Sequence, residues 1–182
     1  MITSRFVNAS LICAMTTSLS LLLGCGSGGG GGGNDEFVGA AQVRVQASPA
    51  QIDTGDRTEV QITISNLHKN GIALKIRLPK GLEYVTSSSF IEVNNSDTDV
   101  SPVVNQTKGS DIYLVYYISP DQISEKEDGT LFFELEGRDS VEDGLIEIDP
   151  DVDDPTVENT TEFNIDEPEF GAEDAASIQV TD

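Results

Sequence analysis

The chain has no tryptophan, two cysteines, one histidine, and ten basic residues against 32 acidic ones. Each shortage excludes something. Without tryptophan and with no cysteine pair in the body of the chain, the Cys–Trp–Cys pin of antibody domains cannot form. The shortage of bases excludes nucleic acid as a partner, because a phosphate backbone demands a basic surface. It also argues against docking of the protein surface on anionic lipid. The single histidine, His68, sits in the loop 66–70, and no motif places a Ser or Cys nucleophile for it. Exposed loop histidine is the plain reading. Carboxylate pairs are common because acids are abundant, so a glycosidase has no specific support. No stretch keeps a helical period over a useful length. The expected protein is not an enzyme.

What is present begins with an address. Arg5 is the only charge in residues 1–24, and Phe6 to Leu23 is apolar with small residues and no acid or base. A basic start, an apolar run and a small residue at the cut form a secretory signal. The run is near the spanning minimum of about 17–20 residues. Asn8, Ser10, Thr16, Thr17, Ser18 and Ser20 dilute it, however, and glycines follow where a stop-transfer segment would carry bases. Cleavage is therefore expected over a transmembrane helix. Removing residues 1–24 takes away one base and no acid, so the net charge of −22 becomes −23. Such a surface is well solvated and repels its own kind.

Leu22-Leu23-Gly24-Cys25 resembles the lipobox of bacterial lipoproteins, with an aliphatic residue at −3, a small one at −1 and Cys at +1. The resemblance implies cleavage between Gly24 and Cys25. It also implies a diacylglycerol on the Cys25 thiol and an acyl chain, such as palmitate, on its amine. Cys13 follows Ile12 and suits the cleavage pocket poorly. Lipidation accounts for an exported cysteine that otherwise lacks a partner; the bland alternative is an ordinary signal peptide with a stray cysteine. Two or three chains would hold the protein to a membrane permanently. Gly26, where an Asp would favour inner-membrane retention in enterobacteria, leans towards the outer membrane if the organism is Gram-negative.

Residues 25–36 read as the lipidated Cys and a tether. A glycine-rich run of this length behaves as a coil with an end-to-end distance of roughly 18 Å. Its GxG patterns are no phosphate loop, since no strand precedes them and no Lys-Ser/Thr or helix follows.

Residues 37–182 alternate with period two. Gln42–Ala47, Thr58–Ser65, Ile72–Leu78, Asp111–Ile118, Thr130–Glu136 and Ala175–Val180 are predicted strands, with shorter ones at Leu82–Val85, Ser89–Val93 and Leu145–Ile148. Asn94–Asp99 reads as a polar loop and Asp149–Asp154 as an acidic turn region. About 7–9 short strands between Gly, Pro, Asn and Asp turns predict one all-β sandwich. Residues 139–182 hold 16 acids and no Lys or Arg. They form either a solvated extension or the last strands with acid-rich loops.

Ser48-Pro49-Ala50, Thr54-Gly55-Asp56, Val60–Asn66 and Leu78-Pro79-Lys80-Gly81-Leu82-Glu83-Tyr84-Val85 resemble the DUF11 type of bacterial and archaeal surface repeat. Leu114–Ile118 and Leu131–Leu135 are similar to its next hairpin. The resemblance covers residues 43–180 as one copy. It implies an immunoglobulin-like β-sandwich serving surface structure or adhesion. Departures are the single copy, the lipid anchor and the acidic C-terminal part.

Four acids, Asp149, Asp151, Asp153 and Asp154, are the best metal candidate, because Ca²⁺ takes six to eight oxygens. The EF-hand Gly and final Glu are missing, and a solvated acidic loop is the alternative. Asp97, Asp99 and Asp111 form a weaker cluster. Tyr113, Tyr116 and Tyr117 alternate faces, so an exposed aromatic patch could take glycan or a protein. The acceptor patterns at Asn94, Asn105 and Asn159 read as chance. The expectation is an envelope-anchored, non-catalytic binding, adhesion or structural module, with an envelope protein or glycan as partner. The alternative is an accessory subunit of an envelope or secretion assembly, docked through a sheet edge.

Overall fold

The computed structural model describes residues 39–152 and 163–182. Among them every helix or strand is a strand, twelve in all, in two sheets. Sheet one runs β1 (Gln42–Ser48), β3 (Arg57–Ser65), β10 (Gly129–Gly137), β6 (Phe90–Val93) and β7 (Ser96–Asp99). β5 (Leu82–Tyr84) shares the far side of β10 with β6. Sheet two runs β2 (Gln51–Asp53), β12 (Asp174–Thr181), β11 (Val141–Val152), β4 (Ile72–Pro79), β9 (Asp111–Ile118) and β8 (Val104–Lys108). All pairings are antiparallel except β2 with β12.

Alternation explains the layering. In β3, Val60, Ile62 and Ile64 are fully buried while Glu59 and Thr63 face solvent. In β10, Leu131, Phe133 and Leu135 do the same. Sheet two answers with Leu74, Ile76, Leu78, Leu114, Tyr116, Ile118, Ile146 and Ile148, and the two sets make one core. Each such side chain contributes about 1.5–3 kcal/mol when fully buried. The orders β1-β3-β10-β6 and β12-β11-β4-β9 match the A-B-E-D and G-F-C-C′ neighbours of an immunoglobulin-like sandwich. One departure is clear: the strand in the D place, β6, comes before β9 in the chain.

The strand count exceeds the expected seven to nine because three further pieces are short or polar. β2, β7 and β8 have three to five residues each. Ser96–Asp99, expected as loop, is the second arm of a hairpin. Asn94 and Asn95 both take positive φ, 53° and 60°, and Val93 faces Ser96. Two left-handed residues between paired strands are a type I′ turn, which Asn tolerates. Its alternation was invisible because every residue of β7 is exposed.

Asp149–Val152 is likewise strand, not turn: β11 runs through Pro150, which pairs with Leu74 of β4. Proline is tolerated here because β12 ends opposite Ile148, so the missing N–H falls on an edge. The acidic C-terminal region therefore supplies two strands of the fold.

Two glycines are required by geometry. Gly129 leaves room for Ile123, whose Cδ1 would lie 2.5 Å from an added Cβ. Gly71 has φ +92°, and a Cβ there would meet the Ile118 carbonyl oxygen at 2.6 Å. Gly71→Ala is expected to cost about 1–3 kcal/mol, read as a lower urea midpoint with unchanged slope. A midpoint within error of wild type would show that the β3–β4 loop relaxes freely.

Candidate functional site

The outer face of sheet two is built on cross-strand rows. Glu147, Arg77 and Tyr113 are paired in register, and so are Asp149, Lys75 and Val115. Period two puts these side chains away from the core, yet Lys75, Asp149, Tyr113 and Val115 are all buried. The cover includes residues 163–173. Phe163 and Phe170 contact the Tyr113 ring at centroid distances of 5.3 and 6.2 Å. The Arg77 guanidinium lies 4.5 Å from the Phe170 centroid. Lys75 Nζ donates to the Glu169 carbonyl at 2.9 Å, and the Gly171 N–H donates to Asp149 Oδ2 at 2.8 Å. Lys108 pairs with Asp166 at 2.8 Å. An acidic, phenylalanine-bearing segment thus covers an aromatic face whose Lys75 and Arg77 are ion-paired within the sheet.

Lys75 is the centre of this arrangement. Its Nζ sits 2.7 Å from Asp149 Oδ2 and 2.6 Å from Asp151 Oδ2. Burial alone would lower its pKa, but hydrogen bonds and charge from Asp149 and Asp151 outweigh that and hold it above 10.5.

The expected calcium ligands are therefore distributed as follows. Asp149 and Asp151 project to the same side of β11, and an ammonium occupies the position between them. Asp153 and Asp154 lie outside the described residues, as do Gly24 and Cys25. Among the described residues no group of three or more His, Cys, Asp or Glu is placed to hold a metal. The weaker cluster is not brought together: Asp97 and Asp99 lie on β7 in sheet one, Asp111 on β9 in sheet two.

Of the tyrosines, Tyr116 is core and Tyr113 is covered, while Tyr117 is 39% exposed. The Tyr116 hydroxyl donates to Ser89 Oγ at 3.3 Å, and Tyr84 Oη bonds the same oxygen at 2.5 Å. Burial pushes the Tyr116 phenol far up. His68 Nδ1 accepts the Asn70 N–H at 3.2 Å. It lines a surface cleft of about 650 Å³ with Lys69, Glu125 and Asp151, and no Ser, Thr or Cys is among the lining residues.

Sheet one presents a different outer face. Phe90 and Phe132 are directly opposed on β6 and β10. Their rings stack at 4.8 Å with 11° between planes. A cross-strand aromatic pair contributes about 0.2–1 kcal/mol. Outward alternation of Phe132 is readable in Leu131–Leu135; its pairing with Phe90 is set by a long-range register that no local pattern carries. An ion-pair ladder flanks the stack: Arg57 bonds Glu134 at 2.9 Å and approaches Glu136 at 3.5 Å, and Arg138 bridges Glu136 and Glu83.

No protein-family model matches the chain, and no curated protein matches it by sequence. Several solved structures align with it in part. A backbone pilin of Streptococcus pyogenes aligns over 78% of this chain and 36% of its own, with TM-score 0.48 and 11% identity. The N-terminal domain of the Streptococcus gordonii adhesin Sgo0707 aligns over 61% and 29%, with TM-score 0.46 and 12% identity. AvmM, which catalyses macrocyclization in alchivemycin A biosynthesis, aligns over 79% and 89%, with TM-score 0.45 and 13% identity. The chain spans about a third of the length of the pilin and the adhesin it matches.

Proposed function

We propose that this chain is an envelope lipoprotein whose sandwich is a non-catalytic binding or structural module, held by lipid on Cys25 through a glycine tether. One observation carries the non-catalytic part. Among the described residues, the polar side chains that the fold buries are Thr58, Lys75, Ser89 and Asp149. Each is bonded within the framework: Thr58 to the Pro49 carbonyl, Ser89 to Tyr84 and Tyr116, Lys75 to Asp149. Framework bonds of this kind leave an open outer face on sheet one as the place for recognition.

The anchor is tested directly. Cys25→Ser is expected to move the protein from the membrane pellet to the soluble fraction, with the wild-type N-terminus acylated by mass spectrometry. An unmodified Cys25, or cleavage elsewhere, overturns the anchor. Docking as an accessory subunit through a sheet edge has a local feature in its favour. The β8 edge is preceded by Val103, 55% exposed, whereas the β7 edge carries Asp97 and Asp99, charges of the kind that discourage strand addition. A single stoichiometric partner crosslinked at β8 would favour that reading.

A further inference from the structure

We propose that the outer face of sheet one, centred on Phe90 and Phe132, docks a Lys/Arg-bearing segment of another protein. This rests on the reading of the chain as a binding module and names the face and the partner chemistry.

The register defines the face. One row runs Gln46, Gln61, Phe132, Phe90, Asp99; the next runs Arg44, Thr63, Thr130, Glu92, Asp97. Glu92, Asp97 and Asp99 are exposed, and none of them has an ion-pair partner among the described residues. Arg57 is already engaged by Glu134 and Glu136, and Arg44 stands at the β1 end of its row, away from Asp97. An aromatic pair beside three unmatched carboxylates suits a cation with an apolar stem, which can pack on a ring while its head meets the acids.

The same molecule shows how such a face is covered. On sheet two, Lys75 and Arg77 are paired within the sheet by Asp149, Asp151 and Glu147, and the cover adds Phe163 and Phe170 against Tyr113 and Arg77 and sets Asp166 on the remaining base, Lys108. On sheet one the charges left unmatched, Glu92, Asp97 and Asp99, are acidic, so a cover that matches charge in the same way is basic. Residues 1–38 and 153–162 do not supply it. Residues 153–162 hold four acids and no base, and residues 1–38 hold Arg5 alone among bases. A second copy brings the same excess of acid. Charge complementarity therefore points to a different, basic protein.

The test uses the lipidated full chain in detergent and a fluorescent ten-residue peptide of alternating lysine and valine, followed by anisotropy at physiological salt. Glu92→Gln/Asp97→Asn/Asp99→Asn is expected to weaken binding about tenfold, and Phe90→Ala/Phe132→Ala about fivefold. Glu142→Gln/Asp143→Asn/Glu173→Gln changes net charge equally, on β11 and just before β12, and is expected to alter binding less than about twofold. Melting curves confirm that each variant is folded. Equal losses in face and control variants would show that the peptide follows net charge, and the face would be wrong while the module reading stands. Binding of neutral oligosaccharides, or dimers in sedimentation, that the Phe90→Ala/Phe132→Ala variant abolishes would place a glycan or a second copy there and also overturn the proposal. Membrane retention through Cys25 is measured separately, so the two failures are distinguishable.

Discussion

Lys75→Met is expected to lower the unfolding free energy by about 3–5 kcal/mol, because it leaves Asp149 buried without its cation. Among the described residues Asp149 would keep the Gly171 N–H as its partner, and one such bond cannot replace a buried ammonium. Asp151 loses the same partner, but its side chain is 55% exposed and water takes over. The double variant Lys75→Met/Asp149→Leu is expected to recover most of the loss, since replacing a buried pair by apolar residues of similar volume is often neutral or better. Urea unfolding of the two variants decides the matter; a double variant as unstable as the single one would mean that the residues 163–173 cover, rather than the charge pair, depends on these groups.

The same residue sets an alkaline limit. Its folded pKa lies above the ordinary 10.5, so its contribution is complete below about 10.5 and is lost as pH rises through the folded value. Tyr116, with its phenol pushed up by burial, loses stability in the same direction above about pH 10. Subtracting the profile of Lys75→Met from that of wild type isolates the lysine. A difference that stays constant into that range would contradict the pairing.

How far these features were legible in the sequence differs by residue. The inward set Val60, Ile62, Ile64, Leu131, Phe133 and Leu135 follows from alternation, and so does the all-β class. Alternation in Ile72–Leu78 also places Lys75 outward, where it would be solvated. It is not, because a segment that includes Glu169, 94 residues later, crosses over it. The same cover hides Tyr113, and it turns Asp149 from a candidate metal ligand into an ion-pair partner. Pro150 and its acidic neighbours look like a turn by composition; only the early end of β12 reveals how a proline fits that strand. Local pattern specifies faces, whereas the cover of a face is a long-range event.

Phe132 and Phe133 give the sharpest contrast, since one residue step separates a surface role from a core role. Phe133 is fully buried, with ring neighbours Tyr84 and Tyr116 at 6.3 and 6.1 Å. Phe133→Ala is expected to cost about 3–5 kcal/mol, because the cavity opens between two sheets that cannot both collapse into it. The loss also removes the apolar wall beside the Tyr84–Ser89–Tyr116 hydrogen bonds. Phe132→Ala deletes a ring that is half-buried and, among the described residues, stacked on Phe90 alone. It is expected to cost about 1 kcal/mol or less. Chemical denaturation of both variants measures the difference. If Phe132→Ala destabilised as much as Phe133→Ala, the Phe90–Phe132 stack would be framework rather than a free surface, and its role in recognition would fall with that result.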